Sequence, residues 1–296
     1  MNRYSAHAAF YAPAVPSAAL WRVVIGFLAA SAIYLLLNNL LFGAVFSALG
    51  AQSDVFYRDL LAGRTPFAML LLLGSFGLMI AGVAVVTRII HRRSFLGLIG
   101  PMELALRQFG AVLGIMVLLS AVIYILPPWD MGADYVSNMD FSKWLLLLPF
   151  SLIGVLIQVT AEEMVFRGYV QQQLAARFRS PLVWMVLPAA LFALGHYLPD
   201  QAGENAFFIA LWAGVFGMLM SDLTARSGSL GPAIAVHFSN NVAAILITSM
   251  PDDLSGLALY LTPFGMDNPE ELRAWLPVDF ALMLVSWLAA RLAIRR

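Results

Sequence analysis

Six side chains in this chain have the types and spacing that hydrolytic chemistry needs. Glu162 and Glu163 are adjacent within the run WLLLLPFSLIGVLIQVTAEEMVFRGYV, residues 144–170, and Arg167 follows Glu163 by four positions. His196 closes a second apolar run, and a third carries His237 with Asn241 four residues on. A carboxylate inside lipid costs several kcal/mol unless paired or protonated, so an ionisable residue in such a run is a functional candidate by default. Arg167 stands at ion-pair spacing from Glu163 on a helix. A glutamate and a histidine sharing a water can deprotonate it, and the carboxyl group can return that proton to a leaving amine. A second histidine with an asparagine supplies donors for the oxyanion formed at an attacked carbonyl. The set therefore contains the parts for amide hydrolysis. Glu162, His196 and His237 also make up a two-His, one-Glu set able to hold zinc with an open position. A metal-free site and a zinc site both stand at this point.

The elements that must position these residues are membrane helices. The chain has 296 residues, of which 61% are hydrophobic and 11% charged. Its mean hydropathy is +0.83, whereas soluble domains are near a quarter charged. The expected fold is all-α, a polytopic membrane helix bundle of about eight transmembrane helices, since a span takes about 20 apolar residues. The segments are approximately 23–47, 66–87, 109–127, 144–170, 182–199, 206–225, 231–249 and 277–293, with Pro127-Pro128, Ser180-Pro181 and the Gly228–Pro232 stretch at joins. Residues 94–107 (SFLGLIGPMELALR) read as a short helix on the interface. The expected organisation is helices 1–3 with that joint over 1–143, a catalytic core over 144–249, and an external loop with the last helix over 250–296.

Net charge is zero, so nothing draws the chain to nucleic acid; the expected partners are the lipid bilayer and a membrane-associated substrate. There are no cysteines, which removes disulfides, thiol catalysis and Cys-ligated metals. Thirteen of the 17 basic residues fall at one set of helix ends, among them Arg22, Arg88, Arg92, Arg93, Arg107, Arg177, Arg179, Arg226 and Arg291. The opposite ends hold Arg58, Arg64, Lys143 and Arg273 with most of the acidic residues. Basic ends face the cytoplasm, which puts both termini inside. Trp21, Trp144, Trp184 and Trp275 read as interfacial anchors. His7 and His91, beside basic residues, read as solvated or in contact with lipid headgroups.

Glu162 precedes the turn at Ser180 by eighteen residues and His196 follows it by sixteen, which gives both a depth of roughly 24–27 Å. The hairpin would bring a carboxylate beside an imidazole, with Phe192 one turn below His196. The same count leaves His237 about 10 Å from its turn at Leu230–Gly231, shallower than Glu162.

The three groups fit motifs in a fixed order. Glu162 to Arg167 reads EExxxR, Phe192 to His196 reads FxxxH, and His237 to Asn241 reads HxxxN. In that order, on successive apolar helices, the chain resembles the CPBP or ABI family of CAAX proteases and bacteriocin-processing enzymes, the type II CAAX prenyl endopeptidases. The resemblance covers about 144–249. It implies an eight-helix intramembrane endopeptidase whose site opens to the cytosolic side, in a family whose eukaryotic substrates are prenylated CAAX proteins. The short chain without an N-glycosylation sequon reads as a bacterial inner-membrane protein, for which no general substrate rule follows. The resemblance implies Glu162 as catalytic base, His196 beside it, His237 and Asn241 lining the oxyanion site, and Glu163 with Arg167 in support. The family is labelled metalloprotease, and a metal-free glutamate mechanism is also argued for it. The chain has no HExxH, GxGD or GxSG, the signatures of zincin, presenilin-type and rhomboid-type sites. A non-catalytic scaffold or immunity factor of the same family, and a proton-coupled transporter, are the alternative readings. A transporter would show matched halves with broken helices, and the polar cluster is confined to the second half.

Overall fold

A computed structural model of the chain describes residues 3–126, 134–251, 253–265 and 268–295. The Pro127-Pro128 joint lies outside the described residues. The chain runs through twelve α-helices among the described residues: α1 (Ser5–Tyr11), α2 (Leu20–Leu49), α3 (Ser53–Ala62), α4 (Pro66–Ile89), α5 (Met102–Ile125), α6 (Phe141–Glu163), α7 (Gln172–Arg177), α8 (Pro181–Gly195), α9 (Pro199–Ala202), α10 (Ala206–Ser227), α11 (Gly231–Asn241) and α12 (Pro269–Ala293). Three two-residue strands, β1 (Val136–Ser137), β2 (Thr248–Ser249) and β3 (Tyr260–Leu261), tie loops together at one end, with β3 antiparallel to β1 and parallel to β2. The protein is a polytopic helical bundle.

Each of the eight apolar segments falls on a helix. Among the described residues six helical stretches are long and apolar enough to cross a membrane: Leu20–Ala62, Pro66–Ile89, Met102–Ile125, Phe141–Arg177, Pro199–Ser227 and Pro269–Ala293. The other two, Pro181–Gly195 and Gly231–Ile247, are shorter, and they are the ones that bring in His196 and His237. A short helix survives here because longer neighbours cover it. Gly231 through His237 are all buried, and Gly231 lies so close to the Ala105 carbonyl of α5 that a Cβ there would collide with it.

Two stretches among the described residues are π-helical, and both adjoin a motif. Met164–Gln171 follows Glu162-Glu163 directly. Val242–Ile247 follows Asn241 directly. A π segment inserts extra residues into the turn and re-aims side chains around it, a device concentrated at functional sites.

Four expectations are corrected. Residues 94–107 are not a separate interfacial helix: Phe95–Leu98 is a 3-10 turn, Met102 opens α5, and Leu98 is fully buried. Leu98 is held by Gly168, where a Cβ would approach the Leu98 carbonyl to 2.8 Å. Trp184 is not an interfacial anchor; it is buried against the rings of Tyr4 and His7. His7 and His91 are not solvated. His91 is buried with Nε2 2.8 Å from the Tyr169 hydroxyl and Nδ1 2.9 Å from Gln173. His7, on α1, is buried where that helix packs on α7 and α10, with its ring against Trp184 of α8. Finally, His237 is not shallower than Glu162. The turn before it is drawn inside, with Ser229 and Leu230 fully buried and Ser229 hydrogen-bonded to Gln108 of α5, so counting residues from that turn understates the depth.

Candidate active site

The end of α6 delivers both glutamates, and α11 delivers the imidazole between them. His237 lies with Nδ1 2.8 Å from Glu163 Oε1 and Nε2 3.5 Å from Glu162 Oε2. Adjacent residues on a helix project about 100° apart, so the two carboxylates straddle one ring rather than meeting each other. The shorter contact is a hydrogen bond; the longer one does not reach hydrogen-bond alignment, and Glu162 Oε2 is buried without a partner in the protein. A carboxylate only accepts, so the proton on Nδ1 faces Glu163, and Nε2 faces Glu162.

Glu163 carries two loads on one oxygen. Arg167 Nη1 donates to the same Oε1 at 3.1 Å, and Glu163 and Arg167 are both fully buried. The guanidinium is wedged over the Phe192 ring, 4.8 Å from its centroid. Gly217 of α10 makes room for it, since a Cβ there would sit 3.3 Å from Arg167 Nη2 and 3.1 Å from Ala189 Cα. A charged group so placed is tolerable only because its counter-charge is one turn away.

Phe192 separates the two histidines. Its ring is 4.4 Å from that of His196 and 6.1 Å from that of His237. The expected packing of Phe192 under His196 is present. His196 Nδ1 lies 2.8 Å from the Phe192 carbonyl oxygen. A carbonyl accepts only, so Nδ1 carries the proton and Nε2 keeps its lone pair. The imidazole in contact with the carboxylates is thus that of His237, and the described contacts of His196 run to Phe192. His196 also borders a cavity of about 550 Å³ walled by Phe42, Phe46, Tyr57, Leu60 and Leu72. Glu162 and His237 do not line it.

Asn241 ends α11 and is held on both faces of its amide. Its Nδ2 donates to Gln158 Oε1 at 2.8 Å, and its Oδ1 accepts from Asn240 Nδ2 at 3.1 Å. Gln158 was not singled out from sequence. The signal was available: it is a buried polar residue in an apolar run, one turn before Glu162. The Asp222–Arg226 pair, expected from its spacing, is formed at 2.7 Å and also takes hydrogen bonds from Tyr4 and Trp287, away from this cluster.

The zinc alternative finds no ligand set: among the described residues no group of three or more His, Asp or Glu side chains is gathered as a metal ion requires. Glu162 and His237 face each other, and the polar side-chain contact of His196 is with the Phe192 carbonyl. The residues as arranged do not fit the ion, and no step below runs through one.

Residues 143–243 match the Rce1-like family, described as type II CAAX prenyl endopeptidase Rce1-like. The chain is also similar to a Bacillus subtilis (strain 168) protein called "Uncharacterized protein YyaK", with 27% identity over 273 residues covering 88% of each chain. No solved structure matches. The matched stretch contains both glutamates, Arg167, both histidines, Asn241 and Gln158, so the similarity covers the part of the chain that builds this cluster.

Proposed function

We propose that the protein is an intramembrane endopeptidase that hydrolyses a peptide bond of a membrane-associated or lipidated protein, with Glu162 as general base. The observation that carries this reading is the buried pair of glutamates straddling His237 within the stretch that matches the Rce1-like family. Each carboxylate keeps an Oε2 without a partner in the protein, and Glu163 is the one whose other oxygen is tied to Arg167 and His237.

In the proposed reaction Glu162 takes a proton from water, and the hydroxide oxygen bonds to the carbonyl carbon. His196, with its Nε2 lone pair free, steadies the water by accepting its other hydrogen. The oxyanion is met by the Asn241 amide, and by His237 when that ring is an imidazolium. With Nδ1–H committed to Glu163, Nε2 donates only in the charged form. Collapse of the intermediate breaks the C–N bond as Glu162 returns its proton to the departing amine.

The apolar cavity beside His196 supports a substrate with an apolar part, in keeping with the prenylated substrates after which the matched family is described. Its volume falls within the usual range of ligand pockets. The charge pattern supports both termini in the cytoplasm, and the short chain without an N-glycosylation sequon is in keeping with a bacterial inner membrane. A test in two parts suits this reading. Purified protein is incubated with a farnesylated CAAX peptide and with its unmodified form, and products are read by mass spectrometry. The same sample is assayed for zinc. Cleavage without stoichiometric metal supports the metal-free form; zinc lost together with activity in His237→Ala replaces it with the metallo form. No cleavage of either peptide, with unaltered peptides recovered, counts for the scaffold reading.

A further inference from the structure

We infer that Gln158 is a positioning residue for Asn241, fixing the amide that meets the oxyanion. The inference rests on the proteolytic reading above. An asparagine amide has two donor hydrogens and one acceptor oxygen, and its two ends are interchangeable in shape. Left alone, it rotates and flips, and its donor points at the reacting carbonyl only part of the time. Here each end has one assigned partner. Asn240 donates to Oδ1, which satisfies that end. Gln158 accepts from Nδ2 at 2.8 Å, which takes one hydrogen and sets the plane of the amide. The second Nδ2 hydrogen is left to donate to substrate.

The placement of Gln158 makes this more than an incidental tie between helices. It lies on α6 four residues before Glu162, so the base and the group that orients the oxyanion donor share one face of one helix. Any movement of α6 against α11 shifts both together. Asn241 itself needs such support. It is the last residue of α11, where the chain passes into the π stretch Val242–Ile247 and regular backbone restraint gives way. Gln158 is buried, so water does not compete freely for its carbonyl oxygen.

Oxyanion stabilisation depends on donors being held in place before charge develops, and a small misplacement of a catalytic group costs on the order of 10²-fold in rate. Gln158→Met keeps length and bulk but offers Nδ2 no acceptor. It is expected to lower kcat by about 10- to 100-fold at nearly constant KM. Gln158→Glu keeps an acceptor oxygen and is expected to recover most of that loss. In an Asn241→Ala background, Gln158→Met is expected to cost almost nothing more, because residues that act as a unit are not additive.

The experiment measures kcat and KM for wild type, Glu162→Gln, Gln158→Met, Gln158→Glu, Asn241→Ala and the Gln158→Met/Asn241→Ala double variant. The full-length protein is used in lipid nanodiscs with a fluorogenic farnesylated CAAX peptide. The predicted kcat loss, the rescue by Gln158→Glu and the missing additivity together support the inference. Equal rates for the Met and Glu variants, or losses that add in the double variant, overturn it while leaving the protease reading intact. If Gln158→Met does not fold, the Gln158→Glu variant alone decides, since a loss there as large as that of Asn241→Ala contradicts an acceptor role. A wild type no faster than Glu162→Gln overturns the protease reading and this inference with it.

Discussion

Glu163 and His237 are joined by a 2.8 Å hydrogen bond between Oε1 and Nδ1, and the same oxygen receives Arg167 at 3.1 Å. One carboxylate oxygen thus anchors the imidazole of α11 and neutralises a fully buried arginine. Removing its charge leaves Arg167 uncompensated away from water, which costs about 3–5 kcal/mol for a buried pair. Glu163→Gln is therefore expected to lower both thermal stability and yield, and to slow turnover by releasing the His237 ring. Thermal unfolding in detergent checks this. A melting temperature unchanged in Glu163→Gln would mean that Arg167 draws its compensation from elsewhere.

Asn241→Ala is expected to cut kcat by about 10²–10³ with little change in KM, the usual consequence of losing one oxyanion donor. The protein should stay folded, because Asn241 lies at a helix end and its two hydrogen bonds are to side chains. Steady-state kinetics on wild type and variant measure it. A rise in KM with kcat unchanged would move Asn241 from transition-state stabilisation to substrate binding.

His7 and His91 supply a pH dependence. Desolvation by burial pushes each of them down to about 4, with the Arg93 charge adding to the effect at His91. In the unfolded chain both titrate near the usual 6.5. Between about 6.5 and about 4 the unfolded chain binds protons that the folded one refuses, so stability is full above that window and is lost as pH falls through it. The melting temperature should drop from pH 7 to pH 5, and the drop should be smaller in a His7→Gln/His91→Gln variant. An equal drop in both proteins would assign the acid sensitivity to other groups.

Loop charge predicts the orientation. Reporter fusions at Asp134 and Asp253 should read outside and a fusion at the C-terminus inside, because the arginine-rich ends are retained in the cytoplasm. A reporter at Asp253 that reads inside would break the eight-span topology.

The helices were legible in the sequence because an apolar run in lipid has no other way to satisfy its backbone. The pairing of Glu163 with Arg167 was legible because it is local, four residues on one helix. The contact of Glu163 with His237 was not, since it depends on the Ser229–Leu230 turn being drawn into the bundle against α5, and spacing along the chain carries no such information. The burial of His7 and His91 was missed for a similar reason. Basic neighbours in sequence suggested a wet surface, while the partners that cover them, Trp184, Tyr169 and Gln173, come from distant segments. Gln158 was passed over although its position in an apolar run invited the argument already applied to the glutamates.

The account turns on Glu162 being the base and not a structural carboxylate. Glu162→Gln keeps the shape of the side chain and leaves the Glu163–Arg167 pair untouched. Cleavage of a farnesylated CAAX peptide by wild type and by Glu162→Gln, with the melting temperature of each recorded on the same preparation, tests that most directly. The account predicts turnover reduced by about 10³-fold or more with the melting temperature essentially unchanged. A Glu162→Gln protein that cleaves at the wild-type rate, or that loses activity only in step with its stability, would contradict it.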